Sequence, residues 1–388
     1  MAERPAPTAP APSSASASTA PAHALRGPLR HVLLHLVTPL LMCLGMGLAY
    51  MGAFVTPEPH ELPIAVVGSG QQTQVLAQTV KDQAGDALDV RTVSSRAAAV
   101  DALKSQSISG AYLPDKKAPE LIVASAGSDM SALAVEKLFT PVAAEQGVPL
   151  KVTNVAPPVD DDPTGQGLFF LLVAVSIGSY ASVAVLGAAG GALRMRARAG
   201  LAVGVSFVVS LIGAALAGPV FHLVHQGLWG VWGMAWLYSA GILLIGVGLH
   251  PFLKRWTTLA MMVLFVMLNF TSSGGLFRPE LQNGFFGSLH AFWNGAGFVE
   301  GMRTHVYFGG HGLAPHVWTL VAWLAVGVLL TAVAGLSERR GRVAESAATA
   351  PAHSHKRLPV EPTSQAEAEA EEEEMEEEME EMEESVAV

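Results

Sequence analysis

The stretch VAVSIGSYASVAVLGAAGGAL, residues 173–193, contains no charged side chain. A helix needs about 20 predominantly apolar residues to cross the hydrocarbon core of a bilayer, which is about 30 Å thick. Glycine, alanine and serine are frequent in the stretch, and such small side chains let membrane helices approach one another closely. The stretch therefore predicts a membrane-spanning helix that packs on protein as well as on lipid.

Comparable stretches recur along the chain. The six predicted spans are residues 32–55, 167–192, 199–224, 231–253, 256–272 and 316–336. An apolar share of 51% and a mean hydropathy of +0.39 agree with a membrane protein and argue against an ordinary soluble one. The first span is longer than a signal-peptide core of about 7–15 residues, so we expect an uncleaved anchor.

Basic residues predict the orientation of these spans, because positive side chains in short flanks are retained in the cytoplasm. They flank alternate ends: Arg26 and Arg30 before the first span, Arg194, Arg196 and Arg198 after the second, Lys254 and Arg255 after the fourth, and Arg339, Arg340 and Arg342 after the sixth. The intervening connections, 225–230 and 273–315, carry no net excess of lysine and arginine over acidic residues. Both termini are therefore expected in the cytoplasm.

Residues 56–166 have evenly spread charges and no stretch that could span a membrane. Alternation of apolar residues predicts strands, and apolar residues at helical spacing predict helices. The predicted order is strand 64–68, helix 72–88, strand 89–93, helix then strand within 96–114, strand 121–126, helix 131–146 and strand 150–157. We expect a compact α/β extracytoplasmic domain between the first and second transmembrane helices.

The two ends of the chain have the composition of disordered tails. Residues 1–25 are mostly Pro, Ala and Ser, and residues 366–388 contain thirteen Glu, so the rest of the chain carries a formal +3 although the whole carries −10. The predicted organisation is a disordered cytoplasmic tail (1–30), a first transmembrane helix (31–55), the α/β domain (56–166), a five-helix membrane domain (167–336) and a disordered cytoplasmic acidic tail (337–388).

Motifs for chemistry are missing from the sequence. There is no GxxxxGK[ST] phosphate loop, and GSGQQT at 68–73 has Thr73 where a dinucleotide loop has its third glycine. The single cysteine, Cys43, excludes an intrachain disulfide, and the thirteen histidines are scattered. We therefore expect no catalytic residue, no metal site, no cofactor, no nucleic-acid partner and no enzymatic activity in this chain.

The segment 272–310 is the most unusual part of the sequence. It is too polar and too rich in glycine to be one helix, yet it carries many aromatic residues, which prefer the membrane interface. Two short re-entrant or surface-lying helices are predicted, at about 280–293 and 296–306, and a passive outer loop is the alternative. Arg303 could hold an anionic lipid or substrate group, or could pair locally with Glu300.

One span, an α/β domain and five further spans resemble the permease of type-2 ABC exporters, and in particular the YhgE/Pip (phage-infection-protein) branch. The resemblance is carried by Ser273-Gly274-Gly275, Phe277, Pro279, Phe285-Phe286, Gly295-Ala296-Gly297, Arg303 and Tyr307-Phe308-Gly309-Gly310. The chain differs from that pattern at Asn283 and Asn294, where the family has prolines, and its turn 194–200 is shorter than the family's coupling helix.

The resemblance implies an exporter-like permease in a bacterial plasma membrane that moves a drug, lipid or peptide. Glycines and aromatic residues concentrated where the fifth span ends predict a substrate path or re-entrant segment formed by Gly274, Gly275, Phe277, Pro279, Phe285, Phe286, Gly295, Gly297, Arg303 and Tyr307. Membrane lipids are expected partners, and a homodimer and a separate ATPase subunit are left open. The alternative is a non-transporting, membrane-anchored surface protein whose outer domain binds a ligand or partner.

Overall fold

The computed structural model describes residues 26–145 and 147–349, which are mostly helical. Five helical segments among them are long and apolar enough to cross a membrane: Leu36–Phe54, Gly167–Ala188, Met195–Val220, Leu228–Thr271 and Leu313–Ala344. The prediction of a multi-pass helical membrane protein with a small α/β part is confirmed at this level.

The elements follow one another in a simple order. The helices are α1 (Arg26–Phe54), α2 (Gln71–Ala84), α3 (Arg96–Lys104), α4 (Asp129–Glu145), α5 (Gly167–Ala189), α6 (Met195–Ala215), α7 (Leu228–Leu253), α8 (Thr257–Met262), α9 (Leu268–Thr271), α10 (Gly284–His290), α11 (Asn294–Tyr307) and α12 (Leu313–Thr349). The strands are β1 (Leu62–Val67), β2 (Leu88–Val93), β3 (Gly110–Leu113), β4 (Glu120–Val123) and β5 (Lys151–Asn154). A π-helical turn, Val263–Met267, joins α8 to α9.

The fourth candidate span is a helical hairpin. As one straight helix its 44 residues would extend about 66 Å, more than twice the hydrocarbon thickness. The chain instead turns at Lys254, a non-glycine residue with a φ of 49°. Asn269, after the turn, donates a hydrogen bond of 2.5 Å to the hydroxyl of Tyr238, before it. The predicted spans 231–253 and 256–272 are therefore the two arms of this hairpin.

The α/β domain is a five-stranded sheet in the order β2-β1-β3-β4-β5 with helices on both faces. Helices α2 and α4 pack on one face through Val80 and Phe139, and α3 packs on the other through Leu103. All neighbouring strands are parallel except β3 and β4, which pair antiparallel. Two buried faces explain why β1 is apolar almost throughout.

The predicted order of strands and helices in this domain is confirmed. The regular alternation of strands and helices is broken between β3 and β4, which are joined without a helix. A short connection between neighbouring strands makes them pair antiparallel. The helix predicted to reach residue 88 ends at Ala84, because Gly85 adopts a φ of 55° and closes it. Its backbone N–H bonds the carbonyl of Lys81, as is typical of helix C-termini.

The membrane helices have two distinct ends. At one end the first residue of α5, Gly167, packs against Leu223, and His225 lies 4.0 Å from Asp161 beside the α/β domain. At the other end Gly187 packs against the ring of His250. Helix α5 connects the two ends over about 34 Å, since each residue adds 1.5 Å.

The basic turns gather at the end away from the α/β domain. Arg198, which is buried, forms an ion pair with Glu338, and the same carboxylate accepts a hydrogen bond of 3.2 Å from the backbone N–H of Met195. The turn at Lys254 lies at this end too, because His250 precedes it by four residues. Two of the basic flanks read from the sequence, at 194–198 and 254–255, thus lie at the same end of the bundle.

Two predicted boundaries differ from the structure. Helix α12 continues to Thr349 where a disordered tail was expected from residue 337, and α1 begins at Arg26 rather than 31. The extension of α12 is rich in Glu, Arg and Ala, which are strong helix formers even without an apolar face. The tails at 1–25 and 350–388 lie outside the described residues, so their predicted disorder stays a prediction.

We expect residues 56–166 to unfold cooperatively as a separate fragment, because the sheet has its own core. In that fragment Phe139→Ala, which removes a ring stacked on Tyr112 with 4.7 Å between centroids, should lower the free energy of unfolding by about 3–5 kcal/mol. The half-exposed neighbour Leu138 is the control, and Leu138→Ala should cost less than about 1 kcal/mol. Urea titration followed by circular dichroism measures both, and equal losses would contradict the assigned core.

Candidate functional site

The segment 272–310 contains the two predicted short helices, α10 and α11. Asn283 caps α10 by accepting hydrogen bonds from the backbone N–H groups of Phe285 and Phe286. Its amide nitrogen also donates to the carbonyl of Gly52 in α1 at 2.9 Å. One asparagine therefore both starts α10 and ties it to the first membrane helix.

Helix α11 is buried along most of its length and carries an ion pair. Arg303 donates to Glu300 at 2.5 Å and to the carbonyl of Gly274 at 3.1 Å, and both charged side chains are only 4% exposed. The structure thus contains the local pair that the sequence offered as one of two roles for Arg303. No part of this guanidinium is presented to headgroups in this conformation.

Arg278 and Glu280 complete a charge-balanced cluster around this pair. Arg278 lies 3.6 Å from Glu280, and its guanidinium acts on Glu300 as well. Burial alone would raise the pKa of the Glu300 carboxyl, but the guanidiniums of Arg303 and Arg278 outweigh burial and hold that pKa below its usual range. Glu300 is therefore ionised at neutral pH.

His290 borders the cluster as a neutral group. Its Nδ1 lies 2.9 Å from the carbonyl of Ser272, and because a carbonyl can only accept, Nδ1 carries the hydrogen. Burial lowers the pKa of the imidazole, and the Glu300 carboxylate 4.0 Å from Nε2 opposes this only in part. The ring is thus fixed in one tautomer over Gly274.

Gln106 links the α/β domain to the charged cluster. Its side-chain oxygen accepts a hydrogen bond of 3.0 Å from Arg278, and its nitrogen donates to the hydroxyl of Thr304 at 2.9 Å. The backbone N–H of His60 adds a hydrogen bond of 2.8 Å to the carbonyl of Glu280. These bonds join residues far apart in sequence, 198 positions for Gln106 and Thr304, and dock the α/β domain on α11 and on the turn at Pro279–Leu281.

A second buried polar feature runs through the helix bundle. Asn269 donates to the hydroxyl of Tyr238, which lies 2.5 Å from the hydroxyl of Ser176. Since the only hydrogen of Ser176 is given to the carbonyl of Leu172 at 2.6 Å, Tyr238 must be the donor to Ser176. Each residue therefore donates its hydrogen bond to the next, from Asn269 through Tyr238 and Ser176 to the carbonyl of Leu172. We call Asn269, Tyr238 and Ser176 the polar chain.

The polar chain ends in carboxamides with unused bonding capacity. The side-chain oxygen of Asn269 is buried and accepts no hydrogen bond from the described residues. The side-chain oxygen and nitrogen of Asn294 also form no hydrogen bond with the described residues. Asn294 and Asn269 are both 0% exposed, and the carboxamide of Asn269 contacts Gly295, the residue after Asn294. Unused polar atoms among apolar helices cost free energy unless a partner reaches them.

The predicted glycines are positions of close contact. A side chain at Gly275 would lie 2.3 Å from Phe169, and one at Gly295 would lie 2.5 Å from Asn269. Gly274 has a φ of 73°, and a side chain there would meet both His290 and Glu300. Gly297 faces Thr319 of α12. These glycines let α11 and the residues before it pack into the bundle, so each has a structural role whether or not a substrate passes them.

The predicted aromatic residues and proline divide between two surroundings. Phe286 is buried against α1, and Phe277 contacts Phe54 with 5.8 Å between ring centroids. Phe285 is 61% exposed on the neighbouring surface. Pro279 begins a short 3₁₀ turn, and Tyr307 ends α11 beside the α/β domain. The ten predicted site residues therefore share one segment and divide between buried contacts and exposed surface.

No family model, curated protein or solved structure matches this chain. The likeness to exporter permeases consequently stands on the residues quoted in the sequence analysis and on the arrangement of elements. Function must be argued from the buried polar groups themselves.

Sequence reasoning missed Arg278, Gln106 and the polar chain. The chain could have been suspected, because Tyr238 and Asn269 are polar side chains placed inside apolar runs. Gln106 and Arg278 lie in ordinary polar surroundings, and only the fold shows that they meet.

Removing one partner of the buried ion pair should destabilise the protein strongly. Arg303→Gln leaves Glu300 buried without its nearest cation, and the free energy of unfolding should fall by about 3–5 kcal/mol. The double variant Glu300→Gln, Arg303→Gln should recover part of that loss. Denaturant unfolding of the detergent-solubilised protein measures this, with exposed Arg196→Gln as the control. A double variant no more stable than Arg303→Gln would contradict a specific pair.

Proposed function

We propose that this chain is an exporter-like permease that moves an amphiphilic molecule across a bacterial plasma membrane. The observation that carries the proposal is the polar chain inside the apolar bundle, together with the Asn269 oxygen and the Asn294 carboxamide, which bond to none of the described residues. A helix bundle that serves only as an anchor gains nothing from such groups, whereas a transport path needs polar groups that a passing molecule can bond.

Neutral polar groups suit an amphiphilic cargo. Hydroxyl and carboxamide groups can bond an ester, amide or hydroxyl of the cargo, and the surrounding helices offer apolar contact. The charged cluster is internally balanced and holds its ions in pairs, so it lacks a free charge for an ionic cargo. A drug, a lipid or a peptide of low charge fits this lining.

The proposed topology has six crossings with both termini in the cytoplasm. It counts the hairpin around Lys254 as two crossings and puts the end that carries Arg194, Arg196 and Arg198 inside. The α/β domain, which lies at the other end of α5, is then extracytoplasmic. In this topology α12 is the sixth crossing, and it returns the chain to the cytoplasm.

The energy source is proposed to be a separate ATPase subunit, because the sequence contains no phosphate-binding loop. The connection between α5 and α6 at the basic end is short, with α6 beginning at Met195. An ATPase would therefore have to bind a surface built from several helix ends. A homodimer is the proposed assembly, as the resemblance implies.

A receptor-like anchor is the second candidate function. It is favoured by a cavity of about 460 Å³ on the α/β domain, lined by Gln71, Gln72, Val75, Leu76 and Thr79 of α2. Val75 is 59% exposed there, which leaves an apolar group available to a ligand of the domain. Under this alternative the polar chain would have no part in function.

The topology can be tested with cysteines placed at the two ends. In a background with Cys43→Ser, Lys116→Cys on the α/β domain should react with a membrane-impermeant thiol reagent in intact cells, whereas Ala197→Cys should react only after the cells are opened. Both positions are exposed, so accessibility depends on the side of the membrane. Labelling of residue 197 in intact cells would reverse the proposed orientation.

The path can be tested with paired serine variants on α5. Ser176 and Ser182 both donate to the carbonyl four residues earlier, but only Ser176 belongs to the polar chain. In cells that export ethidium or a fluorescent phospholipid through this protein, Tyr238→Phe and Ser176→Ala should lower the export rate about tenfold, the effect of about 1.4 kcal/mol per lost buried bond. Ser182→Ala should leave export unchanged.

Protein level and unfolding temperature of each variant must match the parent. Export equal to the parent in Tyr238→Phe and Ser176→Ala would remove the polar chain from the mechanism. Absence of protein-dependent export for both probes, together with ligand binding to the α/β domain, would favour the receptor-like anchor.

A further inference from the structure

A cavity of about 330 Å³ opens between α5 and the hairpin turn at the basic end of the bundle. One wall is apolar and is made by Val183, Ala184, Gly187 and Ala188 of α5. The other wall carries His250, Lys254, Arg255, Thr257 and Thr258. A volume of this size is within the range of small-molecule sites, about 300–1,000 Å³.

The two permanently charged side chains that line this cavity, Lys254 and Arg255, are both positive. Lys254 and Arg255 are exposed on its rim, and buried Arg198 is close enough to act on the neighbouring His250. The ion pair between Arg198 and Glu338 neutralises the charge of Arg198 and leaves those of Lys254 and Arg255. Lys254 and Arg255 make no ion pair within 4.0 Å among the described residues. An anion is the ligand that these two cations would favour.

The turn holds Lys254 in an uncommon backbone conformation. Its φ of 49° favours glycine, and the hydroxyl of Thr257 donates to its carbonyl at 2.8 Å, which fixes the turn. The guanidinium of Arg255 lies 5.3 Å from the centre of the Trp256 ring. The backbone of the turn is thus fixed at Lys254, and the guanidinium of Arg255 lies over an aromatic ring.

The surroundings of the cavity are those of a membrane interface. Phe252 and Trp256 are 52% and 49% exposed beside it, and Val185 of α5 is 64% exposed. Tryptophan favours the level of lipid headgroups, and exposed apolar side chains of a membrane-spanning helix face acyl chains. A ligand with a phosphate at the rim and acyl chains along α5 would match both walls.

We propose that this cavity binds the phosphate group of an anionic membrane lipid. Lys254 and Arg255 bind the phosphate, the hydroxyl of Thr258 lies on the same rim, and the apolar wall of α5 contacts the start of the acyl chains. The site is distinct from the proposed transport path, because none of the residues that line it belongs to the polar chain. It would fix the hairpin turn to the lipid interface.

The test uses the purified full chain in a neutral detergent, with dioleoyl-phosphatidylglycerol, dioleoyl-phosphatidylcholine and glycerol 3-phosphate as probes and native mass spectrometry as the measurement. We expect the anionic lipid to bind more tightly than the zwitterionic one. Lys254→Gln and Arg255→Gln should each weaken its binding about fivefold, the effect of about 1 kcal/mol per basic residue. The matched control, Arg194→Gln with Arg196→Gln, removes two exposed charges that do not line the cavity and should have little effect.

Lys254→Gly separates the proposed ligand role from a purely structural one. Glycine adopts the positive φ readily, so this variant should unfold at a temperature equal to or above that of the parent while it still loses lipid binding about fivefold. Equal binding of the two lipids, or equal losses in the cavity variants and the matched control, would overturn the proposal. If glycerol 3-phosphate binds as tightly as the anionic lipid, the ligand is a soluble phosphate compound and the proposed lipid ligand is wrong.

Discussion

Burial of the Glu300 and Arg303 charges within 2.5 Å of each other is the interaction on which the second half of the structure depends. Each ion alone would cost several kcal/mol to remove from water, so neither can be buried without the other. Because they lie three residues apart on α11, the pair forms only if that segment is helical, and the second bond of Arg303 to Gly274 fixes where the helix lies. The broken segment after the hairpin therefore has one defined conformation although its sequence is rich in glycine.

The same cluster decides how the α/β domain sits on the membrane helices. Arg278 already faces Glu280 and Glu300, and Gln106 supplies a neutral acceptor for its remaining donors. A carboxylate in the place of Gln106 would add a third negative charge and unbalance the cluster. A glutamine can accept from Arg278 and donate to Thr304 at once, which lets a polar loop dock on buried charges without adding to them.

The class of fold could be predicted from the sequence because membrane spans and α/β alternation leave local, periodic patterns. The two short helices of 272–310 could be predicted for the same reason, and the Glu300–Arg303 pair was visible as an i,i+3 spacing. The hairpin at Lys254 was visible only as two spans with basic residues between them. The contact of Gln106 with Arg278 could not be predicted, since 172 residues separate them and neither lies in a motif. Tyr238 and Asn269 could be suspected but not assigned a role, because polar side chains in apolar runs also bond across ordinary helix contacts.

The two ends of the bundle differ in a way that bears on any movement the protein makes. At the α/β end every charge in the cluster has a partner, so separating α11 from its neighbours would expose or isolate a buried ion and cost about 3–5 kcal/mol. At the basic end Lys254 and Arg255 form no ion pair with a carboxylate of residues 26–145 or 147–349, and the backbone at Lys254 is already in an unfavourable conformation. In the proposed transport, α11 and the α/β domain would move together as one body, because the bonds of Gln106 to Arg278 and Thr304 survive only in such a movement. The membrane helices would then bend at the hairpin turn and at the π-helical turn Val263–Met267, where the regular helical hydrogen bonding is already interrupted.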